Sequence, residues 1–431
     1  MAVSLASAAL FTGGVYPTSW EWIAVAASAG SLLTLIPPST CPREKMGSIL
    51  ILCLAGWILL FIVPLPAGLV AEVFPSRWHA AQAADQITGR RAVNWLGLSL
   101  APAATWERLL DVLPCLAVLA AGREMGWRWR DRIWLPAIPV IVVAVSESIL
   151  GLVQFGMMRA AGGDVASATG TYVNRNHFAG LLEMAFPLAV AGAFAAWKRR
   201  AVWQSTGLLV AAGCLLGGVV VSLSRMGFAA TIAAAVVVTP ILLWPKGFRW
   251  SVLVPVVAVA GLIVLLPTKE LKQRFFYMAA NEEVNTDIRV AIWRDTVPMI
   301  AAHPWTGTGL GAYERGLYAF KTAKPTNTVD FAHNDYLQIL AELGIVGIAL
   351  AAGLAVWILR GPLRIALRHP GARNWELAVG LSGSLLAIGI HSLTDFNLYI
   401  PANAMVLAWL AGLAMSPGLW ETANRGELTC V

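Results

Sequence analysis

Charge is scarce in this sequence. Asp, Glu, Lys and Arg make up 13% of its 431 residues, about half the share found in a soluble domain. Hydrophobic residues make up 58%, and the mean hydropathy is +0.68. These values exclude an ordinary water-soluble fold, because apolar surface on that scale must face lipid as well as a core. Cysteine is sparse too. Cys53, Cys115 and Cys214 lie inside apolar runs, and Cys41 and Cys430 lie in segments assigned below to the cytoplasm. No two share the extracytoplasmic side, so no disulfide framework is expected, and no Cys/His spacing suits a metal. The first residues lack a basic stretch, so residues 1–15 are not an ordinary signal peptide. The net charge of +7 is dispersed in short clusters between apolar runs, which is not the pattern of a nucleic-acid binder and is how membrane topology is written.

Apolar runs are what the sequence has in abundance. A bilayer core of about 30 Å needs roughly 20 apolar residues in a helix. Runs near that length recur at 22–37, 47–64, 105–122, 133–154, 178–197, 203–222, 226–244, 251–267, 341–360, 376–394 and 402–416. They predict eleven spans, or twelve if residues 3–15 also cross. Two long loops remain, near 65–104 and 268–340. The basic residues assign the sides. Lys45 with Arg43, the group Arg123 to Arg132, Lys198 to Arg200, Lys246 with Arg249, and Arg360 to Arg373 all fall on one side if the spans alternate. The positive-inside rule puts that side in the cytoplasm and both long loops outside it. Trp22, Trp106, Trp134, Trp197, Trp203, Trp244, Trp250 and Trp375 stand where apolar runs meet polar ones, as an aromatic belt does. The fold class expected is an all-α polytopic membrane protein with 11–12 transmembrane helices and a large extracytoplasmic loop of short helices.

Gly307-Thr308-Gly309-Leu310-Gly311 resembles a nucleotide loop on paper. It follows no strand of a βαβ unit and lies on the wrong side for ATP, so a tight loop needing positive φ is the better reading. The segment Ala332–Gly347 carries more chemistry. Asn334 or Asp335 can cap the first turn of a helix there. Asn334, Gln338 and Glu342 are spaced to stack on one face. His333 sits just before the helix, where free N–H groups and the helix dipole suit a phosphate. Within predicted spans, Glu147 and Glu183 are intramembrane carboxylates, free to pair with each other or with Arg225. His391 and Asp395, one turn apart, either face one cavity or bond each other.

His333-Asn334, nine residues, then Gly344-x-x-Gly347 matches the His-Asn/Ser/Gln-x9-Gly-x-x-Gly pattern of the O-antigen ligase superfamily. Average residue usage makes such a match by chance an event on the order of one per cent. Thr171–Ala179, Ser224-Arg225, Arg289-x3-Trp293, His303–Gly309 and His391–Phe396 are similar to family segments as well. The resemblance covers roughly residues 165–400. It sets off residues 1–164 as N-terminal spans with the 65–104 loop, and 401–431 as a last span and cytoplasmic tail.

The resemblance implies a GT-C-like architecture and a metal-independent glycosyltransferase without cofactor in the bacterial inner membrane, working on the periplasmic face. Its donor would be a glycan on undecaprenyl diphosphate and its acceptor lipid A-core or another glycan. It implies His333 as base, with Arg289 and Arg225 also catalytic. Arg175, Asn176, Asn334, His391 and Asp395 would bind substrate. Arg289-x3-Trp293 and Arg225-x3-Ala229 come near the Arg-x3-Leu pattern of the ligases without matching it. A repeat-unit polymerase and a protein O-oligosaccharyltransferase are the alternatives inside the family. A secondary transporter is the alternative outside it, though no internal repeat supports that.

Overall fold

A computed structural model describes residues 25, 27–34, 39–42, 44–89, 94–162, 167–244, 279–322 and 328–419. The chain divides into two compact units. One comprises Met1–Arg43, Pro114–Ala280 and Trp357–Val431, and the other Glu44–Leu113 and Asn281–Val356. The expected span at 251–267, the possible one at 3–15, Lys246 and Arg249 lie outside the described residues.

The first unit is a helical bundle. Its helices are the end of α4 (Pro102–Arg128), α5 (Ile138–Ala160), α6 (Arg175–Lys198), α7 (Val202–Ser222), α8 (Arg225–Leu243), the end of α11 (Asp335–Arg368), α12 (Trp375–His391) and α13 (Pro401–Ala414). Helix α6 is the centre, with 89% of its apolar window buried. It packs against α5, α7, α8, α12 and α13. Phe178, Leu181, Leu182, Met184 and Leu188 on it are fully buried. Small residues set the spacing. A Cβ at Gly151 would stand 2.6 Å from the Phe178 ring, and one at Gly122 would stand 2.7 Å from the Trp409 carbonyl. Hydroxyls add bonds between helices, Ser148 to the Cys214 carbonyl (2.7 Å) and Ser205 to that of Ala193 (3.0 Å). Close approach through small residues and such bonds is how helices associate in lipid, where burial of apolar surface gives little drive.

The second unit holds α1 (Lys45–Leu60), strand β1 (Leu65–Pro66), α2 (Ala67–Val73), α3 (Pro75–Thr88), strand β2 (Trp95–Leu96) and the start of α4. It continues with most of α9 (Ala279–Ala302), α10 (Tyr313–Leu317) and the first part of α11. The strands form one antiparallel pair, Leu65 opposite Leu96 and Pro66 opposite Trp95. One apolar cluster gathers Phe61, Val70, Leu96, Leu109, Leu310 and Leu343, and another Met299, Tyr313, Leu317, Ala332 and Ala341.

Among the described residues, α5, α6, α7, α8 and α11 are long and apolar enough to cross a membrane, and α1, α12 and α13 are shorter apolar helices. The protein is an all-α, multi-pass membrane protein. Val142, Val153, Met157, Leu209, Val210 and Val356 are exposed along these helices, as lipid-facing side chains are. Three expectations are corrected. Helix α9 has 24 residues, so the large loop is not built of short helices alone. Trp375 is not an aromatic-belt residue: it is 1% exposed, and its indole N–H donates to the Ala366 carbonyl at 2.9 Å. Trp106, Trp197, Trp203 and Trp244 are exposed as a belt requires. The run entering at 341 is one helix only in name, because α11 breaks at Gly344 (φ 65°, ψ −171°).

Candidate active site

The break in α11 explains the end of the His333 motif. An interrupted helix leaves carbonyls and N–H groups without their i±4 partners, and buried backbone groups must find others. The Pro304–Gly309 segment supplies them. Thr308 N–H donates to the Ala341 carbonyl (3.1 Å) and Gly309 N–H to that of Glu342 (2.8 Å). In return Ile345 N–H donates to Pro304 (2.8 Å) and Val346 N–H to Trp305 (3.4 Å). The Trp57 indole N–H donates to the Leu343 carbonyl at 3.0 Å. This exchange brings two backbones together, and only glycine fits where they meet. A Cβ at Gly307 would come within 2.6 Å of Leu343 N, and one at Gly344 within 2.5 Å of Thr306 N. Gly307, Gly309 and Gly311 all have positive φ, at 70°, 106° and 76°. The Gly-rich segment is therefore the tight loop its sequence suggests, and its purpose is to dock the broken helix.

The start of the motif is held as firmly. Asn334 caps α11, its side-chain oxygen accepting from Tyr336 N–H (3.0 Å) and Leu337 N–H (3.1 Å). Gln338 accepts from Ala332 N–H at 2.6 Å and donates to Glu342 at 2.9 Å. Of the predicted stack, Gln338 and Glu342 are bonded to each other, while the Asn334 side chain turns back to cap the helix. The Ala332 carbonyl accepts from the Trp293 indole at 2.8 Å. Both backbone groups of the residue before His333 are therefore gripped by side chains. His333 itself has φ +50°, in the left-handed region. A non-glycine residue held there costs about 1–3 kcal/mol and persists where its surroundings impose it.

Arg289 is half-buried on α9, one turn before Trp293. The Arg289-x3-Trp293 pattern so contributes a tether for the His333 loop through its tryptophan. Trp293 and Gln338 were not legible as tethers, and Arg108 was missed entirely because it lies in an apolar run. The Arg108 guanidinium stands 5.7 Å over the Phe331 ring and 3.2 Å from Asp111. His303 is a loop residue, its Nδ1 3.3 Å from the Ser76 hydroxyl, and burial pushes its pKa down.

The other candidate residues belong to the first unit. Arg225 is the first residue of α8 and is exposed. Leu223 before it turns in the left-handed region (φ 56°), and the Ser224 hydroxyl caps the helix by accepting from Gly227 N–H at 3.2 Å. Arg175 and Asn176 form the first turn of α6, both half-buried, and Asn174 caps it by accepting from Asn176 N–H at 2.8 Å. His391 and Asp395 are 0% and 1% exposed. His391 Nδ1 lies 2.9 Å from Glu183 Oε2, and its Nε2 lies 3.9 Å from Asp395. His177 Nε2 reaches the other oxygen of Asp395 at 3.8 Å. Two histidines and two carboxylates thus share one buried cluster. The expected pairing of Glu183 with Glu147 or Arg225 is replaced by this one. Glu147 instead binds Thr171.

The structure brings His333, Asn334 and Arg289 into one unit and Arg175, Asn176, Arg225, His391 and Asp395 into the other. Residues 209–352 match the family model described as O-antigen ligase. Over those residues the chain is similar to the O-antigen ligase family. The match takes in Arg225, Arg289 and the complete His333 motif, and stops short of Arg175 and His391. No curated protein matches the sequence. Within the matched residues, the motif reads as a strut, with His333 at one end and the Gly344 break at the other.

Proposed function

We propose that the protein transfers a glycan from an undecaprenyl-diphosphate carrier to an acceptor hydroxyl, on the periplasmic face of a bacterial inner membrane. The reaction is a single displacement. The acceptor O–H gives its proton to His333, its oxygen bonds the anomeric carbon, and the bond from that carbon to the diphosphate oxygen breaks. The carrier diphosphate leaves with the electron pair, and the configuration inverts. No ATP enters, because the diphosphate is already a good leaving group. Arg289, Arg225 and Arg175 are the proposed diphosphate ligands. A guanidinium contacts phosphate bidentately and stays charged at working pH, so it stabilises the charge that grows on the leaving group. Asn176 is a proposed substrate ligand. Asn334 holds the helix start, and His391 and Asp395, both buried, are proposed to act on substrate binding only indirectly, by holding the bundle.

The observation that carries this reading is the fixed, left-handed His333 at the mouth of α11, inside a segment that matches the O-antigen ligase family. A side chain on a strained backbone, next to a residue gripped at both backbone groups, suits a group that must be oriented before reaction. The test is transfer by the purified protein in lipid nanodiscs, given carrier-linked glycan with and without lipid A-core. Capped lipid A-core as product supports a ligase. Growth of the carrier-linked chain without lipid A-core assigns the protein to the polymerases. Absence of any transfer, with intact folding, contradicts the proposal.

A further inference from the structure

Glu147 lies in the membrane-spanning helix α5 and is 1% exposed. A carboxylate there is costly unless it is bonded, and such residues are functional candidates by default. Its partner is not a cation. Oε2 accepts from Thr171 N–H at 3.0 Å and Oε1 from the Thr171 hydroxyl at 2.9 Å. Two turns further along α5, Gln154 grips the adjacent residue from both sides. Its amide donates to the Gly170 carbonyl at 2.7 Å, and its oxygen accepts from Gly170 N–H at 2.9 Å. The segment bends there through Gly170 at φ +58°, where a Cβ would stand 2.8 Å from the Phe178 ring. Only a glycine lets the backbone come this close to the carboxylate.

This pinned segment leads directly into the start of α6. Tyr172, next to Thr171, donates its hydroxyl to Asn403 at 3.1 Å, and Asn403 in turn donates to the His177 carbonyl at 2.8 Å. Asn174 then caps the helix, with Arg175 and Asn176 in its first turn. Buried bonds thus fix the chain on both sides of Arg175, at 170–172 and at 177. A hydrophobic residue at 147 would span the bilayer at lower cost.

We infer that Glu147 and Gln154 are positioning residues that hold the 169–174 segment so that Arg175 and Asn176 meet the anionic head of the lipid-linked donor. This rests on the proposed glycan transfer and adds to it a buried support for one of its diphosphate ligands.

The test uses the full chain in nanodiscs with Arg175→Ala, Glu147→Ala, Glu147→Gln and the Arg175→Ala/Glu147→Ala double variant. Donor KM and kcat are measured with carrier-linked glycan, and binding of undecaprenyl diphosphate alone is measured in parallel. Loss of one charge-assisted contact predicts about a tenfold fall in kcat/KM for the donor in Arg175→Ala and Glu147→Ala alike, with the same split between KM and kcat in the two variants. Glutamine keeps an acceptor for Thr171 N–H, so Glu147→Gln should recover most of the affinity. The double variant should be no worse than Arg175→Ala, because both act through one guanidinium. Effects that multiply in the double variant, or unchanged donor affinity in Glu147→Ala, overturn the inference. If the parent protein transfers nothing, the functional reading fails. Equal loss of undecaprenyl diphosphate binding in the two single variants would still uphold the positioning role, and unchanged binding would overturn it.

Discussion

Beside His333 the chain is gripped through its backbone: Trp293 holds the carbonyl of Ala332 and Gln338 its N–H. In the other unit, His391, Glu183, Asp395 and His177 are bonded or paired through side chains and shut away from solvent. The first arrangement fixes where a side chain starts by holding the main chain next to it. The second consumes the side chains in holding the bundle together. The difference teaches that histidines in similar motif contexts carry different burdens. His333 is placed by others, whereas the ring of His391 is itself bonded, at 2.9 Å to Glu183.

This contrast can be broken by substitution, and the largest effect should come from the buried cluster. Glu183→Ala leaves His391 without its 2.9 Å partner, and breaking a buried pair from one side costs about 3–5 kcal/mol. Thermal unfolding in detergent should show it, and Glu183→Gln should lose less. Gly344→Ala attacks the other unit at its backbone. It forces a Cβ against Thr306 N at a left-handed φ, with an expected cost of about 2–4 kcal/mol. A Gly344→Ala protein as stable as the parent would show that the helix break is not imposed by the docking loop.

Smaller effects should separate tether from chemistry. Trp293→Phe keeps an aromatic ring but removes the bond to Ala332 and part of the indole's volume, for about 1–2 kcal/mol. Transfer should fall further than that stability change implies, because the loss falls on the loop that orients His333. The smallest effect concerns His333 itself. His333→Gly should be more stable than His333→Ala by about 1 kcal/mol, since glycine tolerates φ +50°. Both should lose transfer. Equal stability of the two would mean that the left-handed turn at 333 carries no strain.

Much of the fold was legible because apolar runs and helices are written locally. The runs at 178–197, 203–222 and 226–244 became α6, α7 and α8 almost residue for residue. The cap at Asn334 and the positive-φ glycines were readable for the same reason, each depending on a few neighbours. The rest depended on distant partners. Glu147 and Glu183 invite pairing with a charge, the only complement a sequence advertises. Their partners are a loop threonine and a histidine 208 residues on. The break at Gly344 was hidden because glycine is common in membrane helices, and only the docking of Pro304–Gly309 decides that this one is not helical. Trp375 sits at the edge of an apolar run, yet it is buried because α6 and the Ala366 carbonyl meet it there.

The most direct measurement is the rate of glycan transfer by purified His333→Ala in nanodiscs, with folding checked by thermal unfolding. A general base contributes about a hundred- to ten-thousand-fold, so the variant should retain at most about one per cent of the parent rate while still binding undecaprenyl diphosphate. A folded His333→Ala protein that transfers glycan at near the parent rate would contradict the account.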